Sequence, residues 1–506
     1  MRTCCICLMI SLAPWLHGQT EPPACLSADE DHRLLMETLG ISALRPGRSP
    51  DSTAANAANY DPALADPWPD LPDPLRTDKG KVVKDAAQWW DVRRPEIVEH
   101  FEREVYGRVP ADLPGVTWEV VFQEVERIGW TPVTVKKLRG RVDNASYPPV
   151  EVNLSMVVIT PASAPGPVPL LMMFGPARVP APNQPSREDF GQLNQVLRSL
   201  ISQDSGGQAI LDKYPAYEPL LRPPGYNPWG FWDASSLADG RVADLVQGGW
   251  GCAFIEPASI QADNGEGLTC SGIIALANRG QPRKPDDWGV LRAWAWGAGC
   301  GLDYLEGDPD VDANRVGIEG VSRYGKAALV AMAFDSRFAF GLIGSSGKGG
   351  ATLHRRNFGE SVENLAGLGA YHWMAGNYLK YAAADGVQGD LNASLLPVDS
   401  QELIALCAPR PVFISFGIPE EGDAHWLDHQ GSYMAAVAAQ GVYRLLGARG
   451  LGVSDDYRTE RMPPVTHGML EGDLAWRQHT GGHTDAPNIL PFMAWAEKRM
   501  NEKPQP

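Results

Sequence analysis

Ser322 is the residue whose setting most strongly suggests chemistry. It sits in Val316-Gly317-Ile318-Glu319-Gly320-Val321-Ser322-Arg323-Tyr324-Gly325-Lys326, between an apolar run and the helix-like Ala327-Ala328-Leu329-Val330-Ala331-Met332-Ala333. A serine attacks a carbonyl only when a base takes its proton and an acid orients that base. For the base, His483 follows two glycines just ahead of a terminal helical stretch, and ranks above His479 and His467. For the acid, the segment after Val412–Phe416 offers Asp423, close to the strand end and preceded by Gly422, with Asp428 as an open rival. The order Ser, Asp, His, with Arg323 and Lys326 beside the serine, suits acyl transfer. The serine attacks an ester, the histidine shuttles the proton, and water releases the acyl group.

A strand, a tight turn with serine at its apex and a helix form the nucleophile elbow of an α/β-hydrolase. The elbow needs small neighbours where strand and helix crowd, and Gly320 meets that need. The second glycine of G-x-S-x-G falls one place late, at Gly325, with Tyr324 in its stead. Around the elbow, period-2 and continuous apolar runs predict strands over 116–122, 133–141, 150–159, 168–174, 251–256, 340–343 and 412–416. Helical spacing predicts helices over 85–106, 287–305, 397–406, 430–445 and 489–500, and a Trp stripe on 287–305 reads as core. Alternation from 168 onward implies a three-layer α/β sandwich with a mostly parallel central sheet and loop insertions. Proline-rich 20–84 reads as an extended lead-in, and 85–506 as one catalytic domain. The aromatic, proline-rich insertion at about 176–244 reads as a wall over the site or a packed surface unit. Ser345-Ser346-Gly347-Lys348-Gly349-Gly350 is not a phosphate loop, because Leu342 stands where the first glycine belongs and Gly349 where Ser or Thr belongs.

Among the 506 residues, Lys and Arg number 44 and Asp and Glu 61, a net charge of −17. Nucleic acids and anionic membranes require basic patches, so neither is an expected partner. Arg2, the apolar stretch from Cys4 to Leu16 and the polar residues after it read as a signal peptide over 1–19, hence a secreted or periplasmic protein. Removing Cys4, Cys5 and Cys7 leaves Cys25, Cys252, Cys270, Cys300 and Cys407, which allows a single bridge such as Cys252–Cys270. His425-x3-His429 and His479-x3-His483 have ligand-like spacing, but no complete metal-ligand set accompanies them, and no metal or cofactor is implied.

The string Gly320-Val321-Ser322-Arg323-Tyr324-Gly325-Lys326 resembles the G-x-S-R-x-G-K signature of the glucuronoyl esterases, carbohydrate esterase family 15, in its bacterial branch. The resemblance extends through Leu71-Pro72-Asp73-Pro74, Tyr106-Gly107-Arg108, Ser346-Gly347-Lys348-Gly349-Gly350 and Gly482-His483-Thr484-Asp485. It implies an enzyme, acting as a monomer, that cleaves esters between glucuronoyl groups of xylan and lignin alcohols. Arg323 and an amide near Gly175 would hold the oxyanion, Lys326 would bind sugar hydroxyls, Trp426 would line the sugar site, and Glu363 would contact the sugar. Many members carry the triad acid just before the Ser-Gly-x-Gly-Gly loop; here that position is Ser345. Alternatives left open are a broader carboxylesterase or acetyl-xylan esterase, a metal-dependent hydrolase, and a carbohydrate-binding protein without turnover.

Overall fold

Strands whose side chains are apolar on both faces need cover above and below the sheet, and the middle of this chain is built from them. The computed structural model describes residues 21–66, 70–128, 131–177, 192, 195–196, 199–213, 240–384 and 391–502. Nine strands form one sheet: β1 (Val116–Ile128), β2 (Thr131–Val142), β3 (Asn153–Pro161), β4 (Val168–Phe174), β5 (Gly251–Ile255), β6 (Val311–Val321), β7 (Phe340–Gly344), β8 (Val412–Phe416) and β9 (Leu474–Gln478). Their order is β1-β2-β3-β5-β4-β6-β7-β8-β9. β1, β2, β3 and β5 meet antiparallel, and every pairing from β5–β4 to β8–β9 is parallel. Every residue of β5, β7 and β8 is buried.

The helices that matter here are α1 (Ala28–Thr38), α2 (Arg94–Glu104), α3 (Gly240–Gln247), α4 (Val290–Leu305), α5 (Arg323–Phe334), α6 (Ser400–Cys407), α7 (His429–Leu445) and α8 (Ile489–Glu502). The larger of two apolar clusters contains Trp294 of α4, Leu329 of α5, Leu403 of α6 and Val437 of α7. The smaller joins Leu245 of α3 and Phe492 and Trp495 of α8 to Phe340 and Phe413. These are the two faces of the three-layer α/β-hydrolase sandwich, and the Trp stripe of α4 lies in the core. No helix among the described residues is long and apolar enough to cross a membrane.

Four expectations change. The lead-in is not extended throughout: α1 starts at a capping box, in which Ser27 Oγ accepts from the Glu30 amide at 3.3 Å and Glu30 Oε2 from the Ser27 amide at 2.9 Å. That S-x-x-E box opens a proline-free stretch inside a proline-rich region. The helix expected over 85–106 is present from Ala86 to Glu104 but is not uniform: a π-helical turn, Trp89–Arg93, comes just before Pro95, which has no N–H to give the preceding turn, and α2 follows. β9 is an additional strand. The bridge joins Cys25 to Cys270, while Cys252 is buried within β5. The Leu26 amide donates to Thr269 Oγ1 at 2.9 Å, which seats the lead-in beside Cys270. Residues 1–20, where the signal peptide was read, and 214–239 of the insertion lie outside the described residues.

Candidate active site

Ser322 leaves β6 with φ +63° and ψ −128°, a conformation a serine adopts only under constraint. The constraint is visible on both sides. Its amide donates to the Gly344 carbonyl at 2.9 Å, and its carbonyl accepts from the Lys326 amide at 3.0 Å, which starts α5. A Cβ on Gly320 would collide with the Tyr324 carbonyl, and one on Gly325 would lie 2.5 Å from the Gly344 oxygen. The late glycine is therefore required where α5 presses on the end of β7. Tyr324 instead turns its ring to Phe174 (centroids 6.1 Å) and Trp294 (5.4 Å).

The exits of β7, β8 and β9 meet beside the elbow. His483 Nδ1 lies 2.7 Å from Asp423 Oδ1, and Asp423 Oδ2 accepts from Ser345 Oγ and the Gly417 amide, each at 2.8 Å. The Asp423 side chain is fully buried. Burial would raise its pKa, but the His483 hydrogen bond, the nearby histidines and Ser345 outweigh it and hold it below the usual carboxylate value. Gly417 admits the histidine loop: a Cβ there would overlap the Gly481 and Gly482 carbonyls. His479 closes that loop, its Nδ1 accepting from the Gly481 amide at 3.0 Å and its Nε2 donating to the Thr484 carbonyl at 2.7 Å. Both ring nitrogens are thus engaged by the backbone. The neighbouring His429 packs on Phe416, with Nε2 3.5 Å from Asp423 Oδ2, and burial lowers its pKa to about 4. Gln478 Nε2 donates to its Nδ1 at 3.2 Å, so its proton sits on the nitrogen facing Asp423.

Asp428 has a different task. It caps α7, accepting from the Gly431 amide at 3.0 Å, and pairs with Arg356 while buried. On the other side of Ser322, buried Lys326 donates from Nζ to the Lys348 carbonyl and lies 3.3 Å from Glu360 Oε2. Burial lowers its pKa, against the pull of Glu360. The Glu360 amide donates to the Trp426 carbonyl at 3.0 Å, so Lys326, Glu360 and half-buried Trp426 share one wall. Glu363 is not part of it. Its carboxylate accepts from Arg45 Nε at 2.9 Å and anchors the lead-in. The carboxylate beside Lys326 is Glu360, three residues earlier, on the loop before the helix that carries Glu363. The Trp373 ring lies 5.4 Å from the Arg323 guanidinium and 5.8 Å from Lys326 Nζ, within cation–π range. Gly175 is not available to an oxyanion, because its amide donates to the Ile255 carbonyl at 3.0 Å, and Pro176 has no N–H.

Comparison with known proteins identifies the family. The family model "Glucuronyl esterase, fungi" matches residues 283–447, which include Ser322 and Asp423. Carbohydrate esterase MZ0003, from an unknown prokaryotic organism, is 31% identical over 400 residues, covering 78% of this chain and 82% of that protein. The chain belongs to carbohydrate esterase family 15, the glucuronoyl esterases. A family 15 glucuronoyl esterase from Teredinibacter turnerae is 38% identical, with a TM-score of 0.77, covering 94% of this chain and all of that one. A glucuronoyl esterase from Solibacter usitatus is 29% identical, with a TM-score of 0.65, covering 86% of this chain and 99% of that one. As a glucuronoyl esterase the protein is a carboxylic ester hydrolase. Two carboxylates near its elbow carried no signal at the level of sequence: Glu360, overshadowed by Glu363, and Asp263, in an ordinary polar loop, which reaches the Arg323 guanidinium.

Proposed function

We propose that this glucuronoyl esterase hydrolyses glucuronic acid esters, of the kind that cross-link glucuronoxylan to lignin, through a Ser322–His483–Asp423 triad. The observation that carries the reading is the 2.7 Å contact of His483 Nδ1 with the buried, ionised Asp423, together with a serine held at positive φ in the elbow. His483 Nε2 takes the Ser322 proton as the serine attacks the ester carbonyl. Asp423 accepts from Nδ1–H, fixes the tautomer and stabilises the imidazolium. The Arg323 amide is one of the unpaired donors at the start of α5, and with the guanidinium it faces the oxyanion. One such donor is worth ~3 kcal/mol. The imidazolium protonates the departing alcohol, and water, deprotonated by His483, releases glucuronate from Ser322. Lys326, Glu360 and Trp426 would take the sugar ring, two by hydrogen bonds and one by its indole face. The Cys25–Cys270 bridge favours an oxidising compartment and supports export.

Ser322→Ala, assayed on benzyl glucuronate, is the deciding experiment. Turnover should vanish while the circular dichroism spectrum is unchanged, and a variant that still turns over would refute the assignment. Wild-type rates on acetylated xylan and aryl acetates near those on the uronate ester would replace the reading with a broader esterase.

A further inference from the structure

Asp263 lies in the loop that follows β5 and gathers three side chains on one carboxylate. Oδ2 accepts from Arg323 Nη1, and Oδ1 accepts from His372 Nε2 at 3.0 Å and from the Trp373 indole N–H at 2.6 Å. Burial works against its charge, but these bonds and the Arg323 charge bring its pKa down to about 2. His372 is buried and its own pKa is lowered by that burial, so it serves as a neutral donor. His372 and Trp373 belong to a turn packed against the start of α4, where a Cβ on Gly289 would overlap the Trp373 carbonyl. The carboxylate is thus held by a packed turn on one side and grips a half-exposed side chain on the other.

Stability gives little reason for this arrangement. The Arg323 side chain is 48% exposed, and ion pairs so open to water contribute almost nothing to folding. What the contact does is restrict direction. Arg323 is the first residue of α5, next to the nucleophile, and its long side chain would otherwise sweep through solvent. An arginine has five N–H donors in a fixed fork, so anchoring one of them orients the rest.

We propose that Asp263 is a positioning residue of the esterase: braced by His372 and Trp373, it aims the Arg323 guanidinium at the ester oxygen and balances its charge so that the uronate product is not retained. The proposal rests on the oxyanion role given to Arg323 above. The balance matters because the substrate carbonyl is neutral while the product carboxylate is an anion. A lone arginine beside Ser322 would hold that anion, whereas the Arg323–Asp263 pair has no net charge.

The test is a double-mutant cycle on the full chain, comparing wild type, Asp263→Asn, Arg323→Ala and the double variant on benzyl glucuronate, with free glucuronate as inhibitor. Arg323→Ala should lose about 100-fold in kcat. Asp263→Asn should lose roughly tenfold in kcat with KM within about twofold, and glucuronate should inhibit it several-fold more tightly. The double variant should be no slower than Arg323→Ala, since the interaction is already gone. An Asp263→Asn enzyme at full rate, or a double variant that loses the product of both effects, overturns this proposal alone. Arg323→Ala at full rate removes the oxyanion role and this proposal with it. If Asp263→Asn does not fold, Trp373→Phe takes its place, removing one N–H while keeping the ring. It should lose several-fold in kcat, and a loss that persists when Arg323 is Ala overturns the clamp.

Discussion

Ser345 Oγ donates to Asp423 Oδ2 across 2.8 Å, so the exits of two adjacent strands, β7 and β8, end on one carboxylate. Position 345 is where many members of the family carry the triad acid, and here it holds a serine bonded to a carboxylate from the loop after the next strand. Ser345→Ala should lower kcat on the order of tenfold, since a hydrogen bond to a charged group is lost while the Gly417 amide remains. The inactive Asp423→Ala should regain part of its rate when Ser345→Asp is added. No recovery in that double variant would mean that the two positions do not serve the same imidazole.

Asp423 and Asp428 should separate cleanly. Asp423→Ala is expected to lose on the order of 10³ in kcat, because the histidine loses its orienting partner, and to lower the unfolding midpoint as well, because the Gly417 amide and Ser345 Oγ lose their acceptor. Asp428→Ala removes a helix cap and leaves buried Arg356 only its ion pair with half-exposed Asp66, a combined cost on the order of 3 kcal/mol of stability. Urea titration beside steady-state kinetics distinguishes them. Equal effects of both variants on kcat would contradict the division of labour.

Acid should weaken the fold through His429 before it reaches Asp423. The folded His429 has a pKa of about 4 and the unfolded one about 6.5, so below 6.5 the unfolded chain takes up a proton that the folded chain refuses. That contribution to stability is complete above the unfolded value and is lost as pH falls toward 4, amounting to on the order of 3 kcal/mol. The Asp423 contribution, with its depressed pKa, is present above about 4 and is lost only below that. Unfolding midpoints measured from pH 7 to 4.5 should therefore fall more steeply for wild type than for His429→Gln, and parallel curves would exclude this histidine.

On the sugar side, Glu360→Gln should raise KM for uronate esters several-fold. Glu363→Gln should leave kcat/KM near wild type and the lead-in in place, because Arg45 also donates to the Tyr381, Ala383 and Leu391 carbonyls. The reverse pattern would restore Glu363 to the sugar wall.

Loss of the Cys25–Cys270 bridge, by Cys25→Ser or by reductant, should cost about 2–5 kcal/mol. A thermal scan would show the lowered midpoint, with activity at 25 °C retained. An unchanged midpoint would make the bridge energetically idle.

What was legible in the sequence is what depends on near neighbours. The elbow announces itself because Gly320, Ser322 and the helix after it answer to sterics within a few residues. The strand at 168–174 is a continuous apolar run, and the end of the mostly apolar 412–416 ranked Asp423 ahead of Asp428. The resemblance named Arg323, Lys326 and Trp426 as candidates. What escaped depends on docking between distant segments. Asp263 meets Arg323 across sixty residues. Glu360 and Glu363 differ only in which side of a helix start they occupy. Cys25 finds its partner 245 residues away, and β9, with Arg477 and Gln478 in a five-residue run, carries too weak a pattern to stand out.

The lead-in also imposes an order on folding. Its contacts run forward only: Leu26 to Thr269, Arg48 to Asn364, Asn59 to Asn357, with separations of 243 to 316 residues. At about 5–20 residues per second of synthesis, the partner of Leu26 follows it by roughly 10–50 s. The lead-in is therefore made well before the segments it docks against. A chain threaded unfolded through a membrane would carry Cys25 across well before Cys270, so the bridge could close only after half the chain had followed.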